Sequence, residues 1–150
     1  GGSETNKVLM PEYLPERYEA GTLPTPSIVA LGAGIEFIKE RGICEIENKI
    51  NALTRLIVSE LSTKSYITYL SGENGVVSFN VGKIPSQRVA QLLDADGICV
   101  RGGLHCAPLV HKREGTDGGG SVRVSLSYLN TESELHSLFL SLKRIARIYC

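Results

Sequence analysis

Tyr66-Ile67-Thr68-Tyr69-Leu70-Ser71-Gly72-Glu73-Asn74-Gly75-Val76-Val77-Ser78-Phe79-Asn80-Val81 is the stretch that decides the fold class. Two runs rich in β-branched and aromatic residues, Tyr66 to Leu70 and Val76 to Val81, flank Ser71-Gly72-Glu73-Asn74-Gly75, which reads as a hairpin. Downstream, Pro85 to Asp94 predicts a short helix with Val89, Leu92 and Leu93 turned inward and Gly97 just past its end. Ile98 to Arg101 and Ser121 to Leu126 read as two further strands. Thr131, with Glu134 three residues on, opens a last helix through a capping box. Leu135, Leu138, Phe139, Leu142 and Ile145 give that helix its apolar face.

Upstream of the hairpin, the chain after Gly42 carries Ile46, Ile50, Leu53 and Ile57 on one helical stripe ending near Ser62. An earlier helix is expected from Ser27, its N-cap, with Ile28, Leu31, Ile35 and Ile38 on one face. Gly32 and Gly34 weaken it by up to about 1 kcal/mol each relative to alanine, so close packing on a neighbour is expected there. Residues 1–26, with Pro11, Pro15, Gly21, Pro24 and Pro26, predict an extended connecting segment that comes from something upstream. Residues 27–150 then form the folded domain. Four strands and four helices, with a hairpin instead of regular βαβ alternation, predict an α+β two-layer fold.

The composition belongs to a soluble globular chain: 150 residues, 42% hydrophobic and 21% charged. Sixteen basic residues balance sixteen acidic ones, so charge gives no reason to expect nucleic acid or an anionic membrane as partner. No apolar run approaches the roughly 20 residues of a membrane-spanning helix, and the first residues lack the pattern of a signal peptide. The expected location is cytoplasmic. There, Cys44, Cys99, Cys106 and Cys150 should be free thiols. They show no CxxC or zinc-finger spacing. Cys44 and Cys99 stand beside isoleucines and predict buried positions.

Cys106 has a different setting, Arg101-Gly102-Gly103-Leu104-His105-Cys106-Ala107-Pro108-Leu109-Val110-His111-Lys112. It belongs to a glycine-rich loop without periodicity, Gly102 to Gly120, of a length that is usually functional or disordered. Gly102 and Gly103 permit hinge motion, and Pro108 stiffens the chain after the cysteine. A cation from His105 or Arg101 would favour the thiolate of a thiol whose pKa starts near 8.5. On spacing alone, a reactive cysteine and a chance surface cysteine weigh equally. His105, Cys106 and His111 could supply three metal ligands, but the spacing fits no metal motif, and none is predicted. Arg123 alternates away from Val122 and Val124, on the face opposite them. It matters if that face looks into a site, where a guanidinium fork matches a carboxylate.

Arg101 to Leu109, followed by Val122-Arg123-Val124-Ser125-Leu126-Ser127-Tyr128-Leu129-Asn130-Thr131, resembles the class V aminotransferase family in its cysteine desulfurase branch. Leu14-Pro15-Glu16-Arg17-Tyr18-Glu19-Ala20-Gly21-Thr22 is similar to the segment by which that family returns to its small C-terminal domain. The resemblance runs over nearly the whole chain. It implies the small domain of a homodimeric fold-type I enzyme whose pyridoxal phosphate sits on a lysine of the large domain. That lysine is not in this chain; Lys112 follows the cysteine loop, where the cofactor lysine does not belong. The implied reaction converts L-cysteine to L-alanine and leaves sulfur on a loop cysteine as a persulfide, for delivery to a sulfur-acceptor protein. By motif match Cys106 is the nucleophile and Arg123 holds the substrate carboxylate. His105 and Arg101 support the loop, and Gly2 and Ser3 could match a turn on the cofactor phosphate of the partner subunit. The chain by itself should be inactive on cysteine.

Other readings remain at this stage. Selenocysteine lyase and a plain aminotransferase belong to the same class, although a transaminase has no use for a loop cysteine. A free-standing sulfur carrier would pass persulfide through Cys106 with no cofactor. A purely structural interaction domain would leave the loop without a role.

Overall fold

The computed structural model describes residues 11–19 and 21–150. Gly2, Ser3 and part of the predicted connecting segment lie outside them. The chain divides into two compact units, Gly1–Gly42 and Ile43–Cys150.

In the first unit, helix α1 spans Thr25–Arg41, two residues ahead of the expected Ser27 start. Pro24 stands at the N-cap and Pro26 in the first turn, where a backbone N–H needs no intrahelical partner and proline's fixed φ suits the helix. Gly42 closes α1 at φ 83°, its N–H donating to the Ile38 carbonyl at 2.8 Å. None of the helix's residues is buried, and the neighbour expected against Gly32 and Gly34 is not found within this unit.

The second unit runs α2 (Ile43–Ser62), β1 (Ile67–Glu73), β2 (Val76–Val81), α3 (Ser86–Asp94), β3 (Arg101–Gly103), α4 (Pro108–Arg113), β4 (Ser121–Ser125) and α5 (Glu132–Tyr149). The four strands form one antiparallel sheet in the order β1-β2-β4-β3, and the architecture is α+β in two layers. The β1–β2 turn is made by Asn74 (φ 47°) and Gly75 (φ 85°), the pair of positive φ values that lets a two-residue loop follow strand twist. Helix α2 ties itself to that turn, since Gly75 N–H donates to Thr54 Oγ1 at 3.0 Å. The Gly75 carbonyl in turn accepts from Leu126 N–H at 2.7 Å.

Alternation sorts the sheet's side chains. Val77, Phe79 and Val81 of β2 and Val122 and Val124 of β4 are buried on one face. Against them pack Leu53, Ile57 and Leu61 of α2, and Val89 and Leu93 of α3. Leu135, Leu138, Leu142 and Ile145 of α5 complete the core. Each such side chain contributes about 1.5–3 kcal/mol through burial. Helix α5 begins as expected: Glu134 N–H donates to Thr131 Oγ1 at 3.3 Å, and Thr131 N–H donates back to the Glu134 carboxylate at 2.7 Å.

Three local expectations change. The strand expected at Ile98 to Arg101 lies further on, at Arg101–Gly103, paired with Ser121–Arg123. Gly102 and Gly103 therefore belong to the sheet. Gly102 presses against the Ser86 backbone, and a side chain on Gly120 would run into the Gly103 carbonyl, so these glycines permit close backbone approach. The loop that follows contains a helix, α4. Cys44 and Cys99 are exposed. Cys44 precedes the buried stripe of α2, and Cys99 faces away between Ile98 and Val100, which pack on the core.

Candidate active site

The face of the sheet opposite the core is polar. Register aligns Ser71 with Ser78, Ser78 with Arg123, and Arg123 with Arg101, a row that crosses all four strands. A cleft of about 410 Å³ opens on this face, lined by Ser71, Ser78, His105, His111, Ser121 and Arg123 among others. A wider groove of about 770 Å³ lies between α2 and α5, lined by Leu56, Glu60, Lys64 and His136. Its Lys64 and Glu60 pair with each other at 2.6 Å, and no cysteine lines it.

Cys106 stands exposed between His105 and Ala107, two of the first cleft's lining residues. His105 and Cys106 adopt φ 53° and 60°, two successive non-glycine residues in the left-handed region. Such a conformation costs about 1–2 kcal/mol per residue and persists only where the surroundings enforce it. Part of that enforcement is visible: His105 Nε2 donates to the Ser121 carbonyl at 2.9 Å. The ring's other nitrogen, Nδ1, is buried without a hydrogen-bond partner among the described residues, as is Arg123 Nε. Burial pushes the His105 pKa below its ordinary value; the Ser121 bond opposes this, while the charges of Arg123, His111 and Arg101 add to it. The shift favours the neutral imidazole.

Of the residues singled out from the sequence, His105 and Arg123 line the cleft, Arg101 pairs with Arg123 across the β3–β4 ladder, and Cys106, though next to His105, does not line it. Lys112 lies exposed on α4 and does not line the cleft. His105 Nε2 and His111 Nδ1 both have protein partners. Among the described residues, no group of three or more metal-ligating side chains forms. The sequence reading missed His111 as a buried residue, and Thr116 as its partner. A signal was present: Pro108 in a first helical turn, followed by His111, Lys112 and Arg113 in the last, is the signature of a short helix.

The sequence profile of the class-V aminotransferases matches residues 1–138, and the chain belongs to that family. It is 36% identical over 149 residues to a probable cysteine desulfurase of Methanothermobacter thermautotrophicus, covering 96% of this chain and 37% of that protein. It is also 36% identical over 137 residues to a cysteine desulfurase of Escherichia coli O157:H7, covering 89% of this chain and 33% of the relative. Among solved structures, the apo cysteine desulfurase of Thermococcus onnurineus NA1 superposes with a TM-score of 0.80 at 32% identity, over 89% of this chain and 34% of that one. The chain therefore spans about a third of the length of the relatives it matches.

No lysine lines the cleft. The described residues thus supply no amine there for a Schiff base to pyridoxal phosphate. They supply two imidazoles, His105 and His111, and the Arg123 guanidinium, whose buried Nε has no hydrogen-bond partner among the described residues.

Proposed function

We propose that this chain is the C-terminal part of a cysteine desulfurase in which Cys106 accepts sulfur and Arg123 holds the carboxylate of L-cysteine. The observation that carries the reading is Arg123 Nε, buried and unpartnered among the described residues on the face that holds the Cys106 loop. A substrate carboxylate would satisfy it through the bidentate geometry that guanidinium favours. The Cys106 thiolate attacks the substrate sulfur: an S–S bond forms, the substrate Cβ–S bond breaks, and Cβ gains a proton to leave L-alanine. The products are alanine and a Cys106 persulfide.

Pyridoxal phosphate, held on a lysine outside this chain, supplies the electron sink, so the chain alone is inactive on cysteine. The exposure of Cys106 suits onward transfer of its sulfur to an acceptor protein. Gly2 and Ser3 are assigned to the partner subunit's cofactor phosphate in a homodimer, and His105 and Arg101 to support of the loop. Residues 1–26 connect to the large domain and 27–150 form the small one. The compartment is the cytoplasm; among the described residues no helix is long and apolar enough to cross a membrane.

The test is turnover of L-cysteine by the full-length protein with pyridoxal phosphate, wild type beside Cys106→Ser. Alanine and sulfide from the wild type, with a nearly inactive variant that keeps its cofactor colour, bear the reading out. Equal turnover removes Cys106 as nucleophile and favours an aminotransferase or lyase. Turnover of selenocysteine alone reassigns the substrate. Persulfide carried by this chain with no cofactor present favours a sulfur carrier.

A further inference from the structure

Downstream of Cys106 a buried histidine does something the chemistry above does not use. Helix α4 is short, and its Leu109 and Val110 are 82% and 50% exposed, yet His111 is only 6% exposed. An apolar side chain would fill that place without needing a partner, whereas a buried imidazole is tolerated only when hydrogen-bonded. Its partner is Thr116, with Nδ1 to Oγ1 at 2.7 Å. The backbone repeats the tie, because Thr116 N–H donates to the His111 carbonyl at 2.8 Å.

Followed outward, these bonds close a circuit around Cys106. His111 N–H donates to the Ala107 carbonyl at 3.2 Å, anchoring the residue just after the cysteine. The Thr116 carbonyl accepts from Gly120 N–H at 2.6 Å, and the next residue, Ser121, holds His105 through its own carbonyl. The His105 and His111 rings then meet inside the circuit, centroids 5.8 Å apart. Within this loop His105 and Cys106 are the two non-glycine residues in the left-handed region, and the two arms of the clamp end on either side of Cys106, at His105 and at Ala107.

We propose that His111 is a positioning residue: by its hydrogen bond to Thr116 it clamps the loop and fixes the direction in which Cys106 presents its thiol. The catalytic consequence rests on the desulfurase reading; the clamp itself does not.

The variants are His111→Leu, Thr116→Val, their double, and Thr116→Ser, which keeps the hydroxyl. In this chain, hydrogen exchange over residues 104–120 should quicken about tenfold or more in the first two, with β2 and α5 unchanged. Unchanged exchange overturns the clamp. In the full-length enzyme, kcat should fall about tenfold or more, since small misplacements of a reacting group are costly, while KM for L-cysteine stays within about twofold. The double variant should be no worse than the worse single one, as a shared interaction requires, and Thr116→Ser should recover most of the rate. Faster exchange with unchanged kcat leaves a structural tie and overturns the positioning role.

A wild-type enzyme without cysteine turnover would remove the desulfurase reading, and the positioning claim would then be decided by the thiol itself. With Cys44, Cys99 and Cys150 replaced by serine, Cys106 alkylation by iodoacetamide should differ about threefold or more between His111→Leu and its parent, through altered presentation of the thiolate. Equal rates overturn it.

Discussion

The two faces of β4 are built from alternate residues of one five-residue strand and obey different rules. Val122 and Val124 vanish into a core in which shape and apolar area decide stability. Ser121 and Arg123, alternating with them, line the cleft; the Ser121 carbonyl accepts from His105, and Arg123 keeps a buried nitrogen without a partner among the described residues. The core face is fully satisfied. The cleft face carries two buried nitrogens, His105 Nδ1 and Arg123 Nε, without hydrogen-bond partners among the described residues.

The comparison breaks most sharply in the core. Phe79→Ala should cost about 3–5 kcal/mol in denaturant unfolding, because it empties the centre of the sheet's buried face. A loss under about 1 kcal/mol would mean that the core face is not the one that carries the fold. Gly120→Ala comes next, at about 2 kcal/mol or more. It must place a side chain at φ 67° and against the Gly103 carbonyl, so β3 should detach first, seen as loss of amide protection at residues 101–103.

A smaller effect separates the faces by pH. The His105 pKa is lowered by folding, so between the lowered value and the ordinary one near 6.5 the unfolded chain binds more protons. The stability of its neutral, buried form is complete above that range and declines as pH falls through it. His105→Gln should flatten the unfolding midpoint across that window, and an unaltered slope would show that His105 is not the group responsible. Smallest of all, Arg123→Met should shift unfolding by no more than about 0.5 kcal/mol while abolishing binding of a substrate carboxylate by the full-length enzyme. A large destabilisation would turn Arg123 into a structural residue and remove the contrast between the faces.

Local chemistry was legible wherever the interaction is local. The Thr131–Glu134 capping box depends on residues three apart and forms as read, and the hairpin forms with a tighter turn than Ser71–Gly75 suggests, at Asn74-Gly75, because β1 continues to Glu73. The stripe Leu53, Ile57 and the face Leu135, Leu138, Leu142 follow the helical period directly. The position of β3 was not legible. Ile98 to Arg101 has the better strand composition, but the ladder forms at Arg101–Gly103, where Gly102 admits the Ser86 backbone and Gly120 admits that of Gly103. Cys99 was misplaced for the same reason, since exposure there follows from where the ladder begins.

By itself, then, the sequence determined the antiparallel α+β class, the core faces of α2 and α5, the capping of α5, and Cys106 with Arg123 as the residues to watch. These rest on periodicity, short-range hydrogen bonding and matched motifs, which need no knowledge of distant neighbours. Only the tertiary structure decided that Arg123 and His105 share one cleft, that burial lowers the His105 pKa, and that His111 is buried against Thr116. Burial, and every property that follows from it, belongs to the space between elements far apart in the chain.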